Sequence, residues 1–551
     1  MLRRHPLRSL FVAIFLASIG GVMELPGQGW LVPPPEPAAN PSTPEKVALG
    51  MALFWDEQLS QSQSVACGTC HRPETGGSDP RSLSAEALHP GADQLFHTAD
   101  DVLGSPGVNL RDAQGSYLPS PLFGWQRQVT NRKANSTINA LLNAALFWDG
   151  RAEFTYRNPI TGQVVLPAWA ALESQAVVPP MSDVEMAFMG RNWTQAAAEL
   201  APLKALALSP QVPPALASWI AGRNYQDLFT EAFGSPGVDV DRIAMAIAAY
   251  ERSLFSDQTP LDAYMNGDSN ALTAQQIRGL GLFQSKGRCV QCHTFPQLGR
   301  QQFQYTGVHE VSADLGRGAI TGLASDNGKM LTPGLRNVAL RGPLFHDGSA
   351  ANLSEVIDFY DRGGDFDHAN KSAHVAPIGF SATEKADLLA LLDHGLTDPR
   401  VAQATGPFTR PMLRSEDPLF HAPYGSATAN ANGHAPQLVA ESPARLGSGW
   451  QIAVAGGPQW ARFWVGADLQ ADVSGRPWLG VQLHLAAASY FTQQGPYLMN
   501  SDGYMSLAMI VPYSPPLLGR QLYAQALIED ASGPAGFTAT AALTTPVLAA
   551  E

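Results

Sequence analysis

Two helical domains built to one plan, followed by an all-β, sandwich-like domain, are what this 551-residue sequence predicts. Three observations carry that prediction. All four cysteines fall in two copies of one pattern, Cys67-Gly68-Thr69-Cys70-His71 and Cys289-Val290-Gln291-Cys292-His293. Each copy follows a helical stretch of similar residue order, "LGMALFWDEQLS" and "RGLGLFQSKGR", so one module is duplicated in register. Beyond Trp450 the texture changes to short alternating or apolar runs separated by Gly, Pro and Asp turns, the spacing of a β-sandwich.

Cys-x-x-Cys-His is the attachment signature of a c-type haem. Each thiol adds across a vinyl group and the adjacent histidine supplies a nitrogen ligand to the iron. A zinc site would need its ligands close together, whereas the two clusters lie more than two hundred residues apart. A redox dithiol has no need of a histidine directly after the second cysteine. The sequence therefore predicts a mainly α fold with two cytochrome c-type haem domains and two covalently bound c-type haems.

The elements follow in order. Residues 1–30 open with Arg3, Arg4 and Arg8 and continue as an apolar run from Leu10 to Val22, the layout of a signal peptide or N-terminal anchor. Residues 31–44 are a Pro-rich linker, read as an extended tether. Thr43 caps a helix with Pro44 at its first position and Val47, Leu49, Leu53 and Phe54 on one side. The N-terminal haem domain is assigned to 45–265, with helices over Asp183 to Leu206 and Val240 to Phe255. The C-terminal haem domain spans 266–400 and begins where Thr273 caps a helix carrying Ile277, Leu280, Leu282 and Phe283. Residues 401–448, rich in Pro, Gly, Ala, Ser and Asn, read as a linker. In 449–551 strands are expected at Gln451–Ala455, Arg462–Gln470, Trp478–Leu485, Ser506–Pro512, Gln521–Ile528 and Phe537–Leu543. Trp450, Trp460, Trp464 and Trp478 in that domain read as core or rim packing.

Composition bounds the function. Hydrophobic residues make up 45% and charged residues 15%, the balance of a globular chain. A net charge of −13 argues against a nucleic-acid partner, which needs a basic stripe, and is compatible with docking a basic redox protein. Haems of this type are attached outside the bacterial cytoplasm, which agrees with the opening segment and points to the periplasm. A membrane association is expected only if that segment stays uncleaved.

Residues 40–400 resemble the bacterial di-haem cytochrome c peroxidases and their relative MauG, which oxidises a tryptophan-bearing protein substrate. Beside the two haem motifs, "NAALFWDGRAE" (143–153), "PPMSDVEMA" (179–187), "TPGLRNVALRGPLFHDGSAANLSEVIDFYDRGG" (332–364) and "IGFSATEKADLL" (378–389) occur in family order. The third stretch is long and specific; the β-rich region lies outside the resemblance.

The resemblance implies a set of site residues. His71 and His293 are the proximal ligands of the first and second haem. In "PLFGWQRQVTN" (121–131) the position of the family's distal histidine holds Phe123, which cannot ligate iron, so the first haem is expected to keep an open face. His89 or His97 is the alternative cap. Glu185 matches the family's acid–base residue, Gln175 a second distal polar group, and Pro179 the remaining pocket wall. Ser182 to Glu185 also reads as a helix N-terminal cap. Trp148 matches the tryptophan between the haems, with Arg151 beside it. Tyr360 falls at the second haem's sixth-ligand position, and Met330 is its rival. A phenolate there would donate electron density and lower the potential. The family also binds Ca²⁺ between the haem domains, and Asn131, Arg341 and Pro343 occupy the matching positions.

The expected function is that of an exported di-haem oxidoreductase. It reduces hydrogen peroxide at the open N-terminal haem and draws electrons through the second. The donor is a small redox protein, a cytochrome c or cupredoxin, or an oxidised protein side chain. The alternative is a non-catalytic electron-transfer cytochrome with both irons capped on both sides.

Overall fold

The computed structural model describes residues 29–113, 118, 120–123, 127–417, 422–440, 444–486, 492–499 and 503–548. The segment expected to be a signal or anchor lies, through residue 28, outside the described residues. Among the described residues, no helix is long and apolar enough to cross a membrane.

The first haem motif sits at the end of a helix pair. Thr43 accepts a hydrogen bond from the Lys46 amide and starts helix Pro44–Trp55, as the sequence indicates. Leu49, Leu53 and Phe54 are buried against Ile243, Ile247 and Tyr250 of helix Val240–Ser253. A Cβ on Gly50 would lie 1.9 Å from the Ala246 carbonyl oxygen, so glycine is what lets the two backbones touch. Trp55 donates its indole hydrogen to the Tyr250 hydroxyl at 2.9 Å. Leu228 and Phe229 of helix Tyr225–Phe233 complete this core.

The second module repeats the device. Thr273 caps helix Ala274–Gln284 by accepting from the Gln276 amide at 3.2 Å. Leu280 and Phe283 pack on Leu388 and Leu391, at and just beyond helix Ala382–Ala390. A Cβ on Gly279 would meet the Asp387 carbonyl at 2.1 Å. Gly50 and Gly279 stand four residues before Phe54 and Phe283, so the duplicated order places a glycine at each helix crossing. Ile277, expected on the apolar side, is instead exposed.

Three expectations are corrected. Of the stretch 183–206, only Trp193–Leu200 is helical, capped by Asn192; residues 182–187 form a turn in which the amides of Glu185, Met186 and Ala187 all point at the Ser182 carbonyl. The Pro-rich connector is docked rather than free: Leu31 and Asn40 are buried, Asn40 donates to Glu173 at 2.8 Å, and just before the connector Trp30 donates to Asp262 at 2.7 Å. The start of the expected linker 401–448 belongs to the first haem domain. Val401, Phe408 and Leu413 are buried in its core, the Arg414 amide donates to the buried Glu57 carboxylate, and Arg410 pairs with Glu74 and Glu416.

The C-terminal region is β-rich, as read. A three-stranded antiparallel sheet orders Gln437–Ala440, Gly449–Ala455 and Met505–Ile510. The larger sheet runs Ala444–Arg445, Ala542–Leu548, Gln521–Glu529, Arg462–Asp468, Thr492–Leu498. Trp450, Ile452 and Val454 of one sheet meet Phe463, Val465, Ala526 and Ile528 of the other in one core. The expected strand Trp478–Leu485 is a hairpin, because Leu479 and Gly480 both take positive φ and turn Ala471–Trp478 back into Val481–Leu485. Phe537–Leu543 likewise splits into Phe537–Ala539 and Ala542–Leu548. Thr492–Leu498 escaped the sequence pattern because it contains Gly495 and Pro496; it is an edge strand, where proline is tolerated. Of the four tryptophans, Trp450 is buried while Trp460 and Trp478 are exposed. Hydrogen bonds from Asn109 to Tyr504 and from Arg445 to Gln63 tie this domain to the first haem domain.

Candidate functional site

Each Cys-x-x-Cys-His motif opens onto its own cavity. The first encloses about 650 Å³ and is walled by Cys67, Cys70, His71, Phe123, Gln175, Pro179, Glu185 and Glu251. The second, about 210 Å³, is walled by Cys289, Cys292, His293, Met330, Tyr360, His309 and His346. Trp148, Lys133 and Arg341 line both, so the two cavities share a partition.

The proximal histidines are set by local turns. His71 Nδ1 lies 3.0 Å from the Gly77 carbonyl and His293 Nδ1 lies 3.2 Å from that of Leu298. A carbonyl only accepts, so Nδ1 carries the hydrogen in each ring and Nε2 keeps its lone pair. Gly77 reaches this place at φ 80°, and a Cβ there would meet Ser136 Oγ at 2.8 Å. Burial lowers the pKa of both rings, His293 to about 4, which keeps them neutral as iron ligands must be. None of the four thiols is in a disulfide, and burial pushes Cys67 and Cys289 each up to about 12.

The turn at 182–187 presents Glu185 to the first cavity. Burial raises its carboxyl above the ordinary range, opposed by the Arg151 charge and a hydrogen bond from Ser182. Gln175, from helix Ala171–Ala176, and Pro179 stand in the same cavity. With no helix starting at Ser182, the capping interpretation of Glu185 does not hold. Phe123 lines this cavity with His89 stacked edge-on at 5.6 Å, and His89 Nδ1 accepts from the Gly91 amide. His97 is exposed and is not part of the wall.

Trp148 is held at three points. Its indole donates to the Lys133 carbonyl at 2.8 Å, its own carbonyl accepts from Leu331 at 2.7 Å, and its ring meets His346 edge-on at 5.9 Å. The neighbouring Asp149 is pinned by Arg132, which also pairs with Asp314 across the domain boundary. Arg151 stacks 3.6 Å from the Phe147 ring centroid. In the second cavity Tyr360, on helix Leu353–Arg362, packs edge-on against Phe359. Burial, with the Cys292 and Cys289 sulfurs nearby, pushes its phenol above the ordinary range. Met330 lines the same cavity from strand Met330–Thr332, so both candidate donors are present.

Several lining residues were not singled out from the sequence. Glu251 follows Ile247 by one helical turn and both face the first cavity; a carboxyl on the apolar stripe of a helix was the available signal. Burial raises it to about 8, and one carboxyl oxygen has no hydrogen-bond partner. His309, Asp314 and His346 place one ligand atom each within 4.8 Å of one another. Only His346 had a sequence cue, in "FHDG". Lys133 had none, because nothing local shows that its side chain turns inward.

The residues present fit two haems. Paired thiols and a histidine held at Nδ1 by a backbone carbonyl open onto each cavity. The partition carries two cations, the buried Lys133 and the half-buried Arg341, neither of which forms an ion pair among the described residues. Burial and the Arg341 charge lower Lys133 to about 7. Haem propionates are anions of the kind these cations lack, and His346 Nε2, His309 Nε2 and Arg341 Nε are buried without partners. The calcium set does not fit in the same way. Asn131 is exposed, and the Arg341 carbonyl is taken by Lys133 Nζ.

The fold and these cavities define a c-type di-haem oxidoreductase with an appended β-domain. The family model described as di-haem cytochrome c peroxidase matches residues 44–270. The chain is 30% identical over 430 residues to cytochrome-c peroxidase IdrP1 of Pseudomonas sp. (strain SCT), covering 71% of this chain and 93% of that one. It is 31% identical over 369 residues to the methylamine utilization protein MauG of Methylorubrum extorquens, covering 66% and 82%. A crystal structure of a MauG-like protein associated with microbial copper homeostasis matches with a TM-score of 0.50 at 28% identity, over 70% of this chain and 98% of that one. The chain belongs to the di-haem cytochrome c peroxidase family, which includes MauG, and is a di-haem peroxidase.

Proposed function

We propose that this protein is an exported enzyme that reduces hydrogen peroxide in the first cavity and draws the electrons through the second. The observation that carries this reading is the shared cavity of His71 and Glu185, the latter a buried carboxyl with a raised pKa. Bound at Cys67, Cys70 and His71, a haem supplies an iron that binds peroxide and takes up its oxidising equivalents. Reduction to two waters consumes two electrons and two protons. Glu185 moves a proton from the inner to the outer peroxide oxygen, and its raised pKa lets it accept and return that proton nearer neutrality. Gln175 donates a hydrogen bond to the departing oxygen. Phe123 and Pro179 exclude water.

Trp148, lining both cavities, is the electron relay, and Tyr360 is the preferred donor to the second haem alongside His293. The electrons come from a small redox protein or from an aromatic side chain of a protein substrate. Phe123 and Tyr360, in place of the peroxidases' histidine and methionine, favour the protein-substrate mode. Export follows from the basic and apolar opening segment and from where c-type haems are attached.

His89, in the first cavity beside Phe123, supports a second reading, a non-catalytic electron carrier in which it caps the first haem. Electron paramagnetic resonance of the resting ferric protein separates them. The enzyme gives one high-spin and one low-spin haem; two low-spin signals with no optical response to peroxide leave the carrier.

A further inference from the structure

The partition between the cavities turns on one lysine. Lys133 is 5% exposed and bonds at three points: its amide donates to the His346 carbonyl at 2.8 Å, its carbonyl accepts from the Trp148 indole at 2.8 Å, and its Nζ donates to the Arg341 carbonyl. Residues 341 and 346 belong to the second haem domain and Lys133 to the first, so one side chain and its own backbone join the two domains around the tryptophan.

The same carbonyl is where a calcium ion would bind in the arrangement implied by family resemblance. Calcium needs about six to eight oxygen ligands, and the implied arrangement draws them from an Asn side chain, backbone carbonyls and water. Here the Arg341 guanidinium folds back onto the Gly334 and Arg336 carbonyls, consuming further oxygens. No carboxylate pairs with either cation among the described residues, and Asn131 is exposed. A divalent ion would enter a place already lined by the Lys133 amine and the Arg341 guanidinium, where no protein carboxylate among the described residues pairs with either to repay its dehydration.

We propose that the Lys133 ammonium fills the interdomain cation position, so that this chain joins its haem domains by a covalently anchored charge and does so without calcium. Lys133 then acts as a positioning residue for Trp148. The claim does not depend on peroxide turnover, since it is read from metal content and from the resting haems.

The test uses the full-length di-haem protein. It is equilibrated with calcium, dialysed and assayed for bound metal, and its resting haem spectra are compared with and without a calcium chelator. The wild type is expected to hold no stoichiometric calcium and to show unchanged spectra. K133N removes the ammonium and adds a side-chain oxygen; it is expected to bind calcium at least about 100-fold more tightly than the wild type, with spectra that respond to the chelator. Stoichiometric calcium in the wild type overturns the proposal, even if K133N fails to fold. So does a folded K133N with both haems that binds calcium no better than the wild type.

Discussion

Trp148 and Lys133 are joined by a hydrogen bond from the indole nitrogen to the lysine carbonyl, 2.8 Å long, and both residues line both of the Cys-x-x-Cys-His cavities. The bond fixes the plane of an oxidisable ring at the shared wall. Trp148→Phe keeps an aromatic ring but loses this donor and the indole's ease of oxidation. The expected result is a protein with both haems in which the second haem's optical response to peroxide slows at least about tenfold. Stopped-flow absorption checks it, and an unchanged rate removes Trp148 from the relay.

Glu185→Gln preserves shape in the first cavity and removes the proton acceptor. Loss of a general acid–base group slows the step it serves by about 10²–10⁴-fold. The reaction of the ferric protein with peroxide is therefore expected to slow by at least about 10²-fold, with haem content intact by pyridine haemochrome assay. Undiminished reactivity would transfer the role elsewhere in the cavity.

Glu251 makes a pH prediction. Its folded pKa, near 8, stands above the ordinary 4.5. Below about pH 4.5 both folded and unfolded chains hold the proton and the folded state has its full stability. Between there and about 8 the unfolded chain ionises while the folded one does not, so stability falls, by up to about 1.4 kcal/mol per pH unit. Above about 8 this contribution levels off. Glu251→Gln stays neutral and is expected to flatten denaturant midpoints across that window. A variant with the wild-type slope would show that Glu251 does not titrate there.

Phe408, fully buried in the core of the first haem domain, lies about 140 residues after that domain's expected end. Phe408→Ala should cost about 3–5 kcal/mol, read as a drop in the unfolding midpoint followed at the first haem. A surface substitution in the β-domain should leave that midpoint alone. No loss on Phe408→Ala would return residues 401–417 to the status of a linker.

Much of the fold was legible in the chain. Thr43 and Thr273 cap their helices because a β-region hydroxyl residue before a periodic apolar run has few other uses. The strands of the C-terminal region were located by alternation, and errors arose where a two-residue turn at Leu479 and Gly480 hid inside an apolar run, or where Pro496 disguised an edge strand. In the candidate site, Cys67, Cys70, His71, Cys289, Cys292 and His293 announce themselves by covalent spacing. Glu185, Gln175, Trp148 and Tyr360 were visible through order along the chain, and the structure sets them on cavity walls.

What the sequence determined by itself was the pattern whose geometry is local: two Cys-x-x-Cys-His pentapeptides, the helices that lead into them, and a β-rich tail. These depend on neighbours a few residues away, where spacing along the chain is spacing in space. The tertiary structure alone decided which of His89 and His97 reaches the first cavity, that Glu251 faces it, and that residues 401–417 close its domain. It also decided that Lys133, rather than Asn131, meets the Arg341 carbonyl. Those outcomes depend on burial and on contacts across hundreds of residues, where the cost of leaving a charge or a backbone carbonyl unpaired selects the partner and no local pattern records the choice.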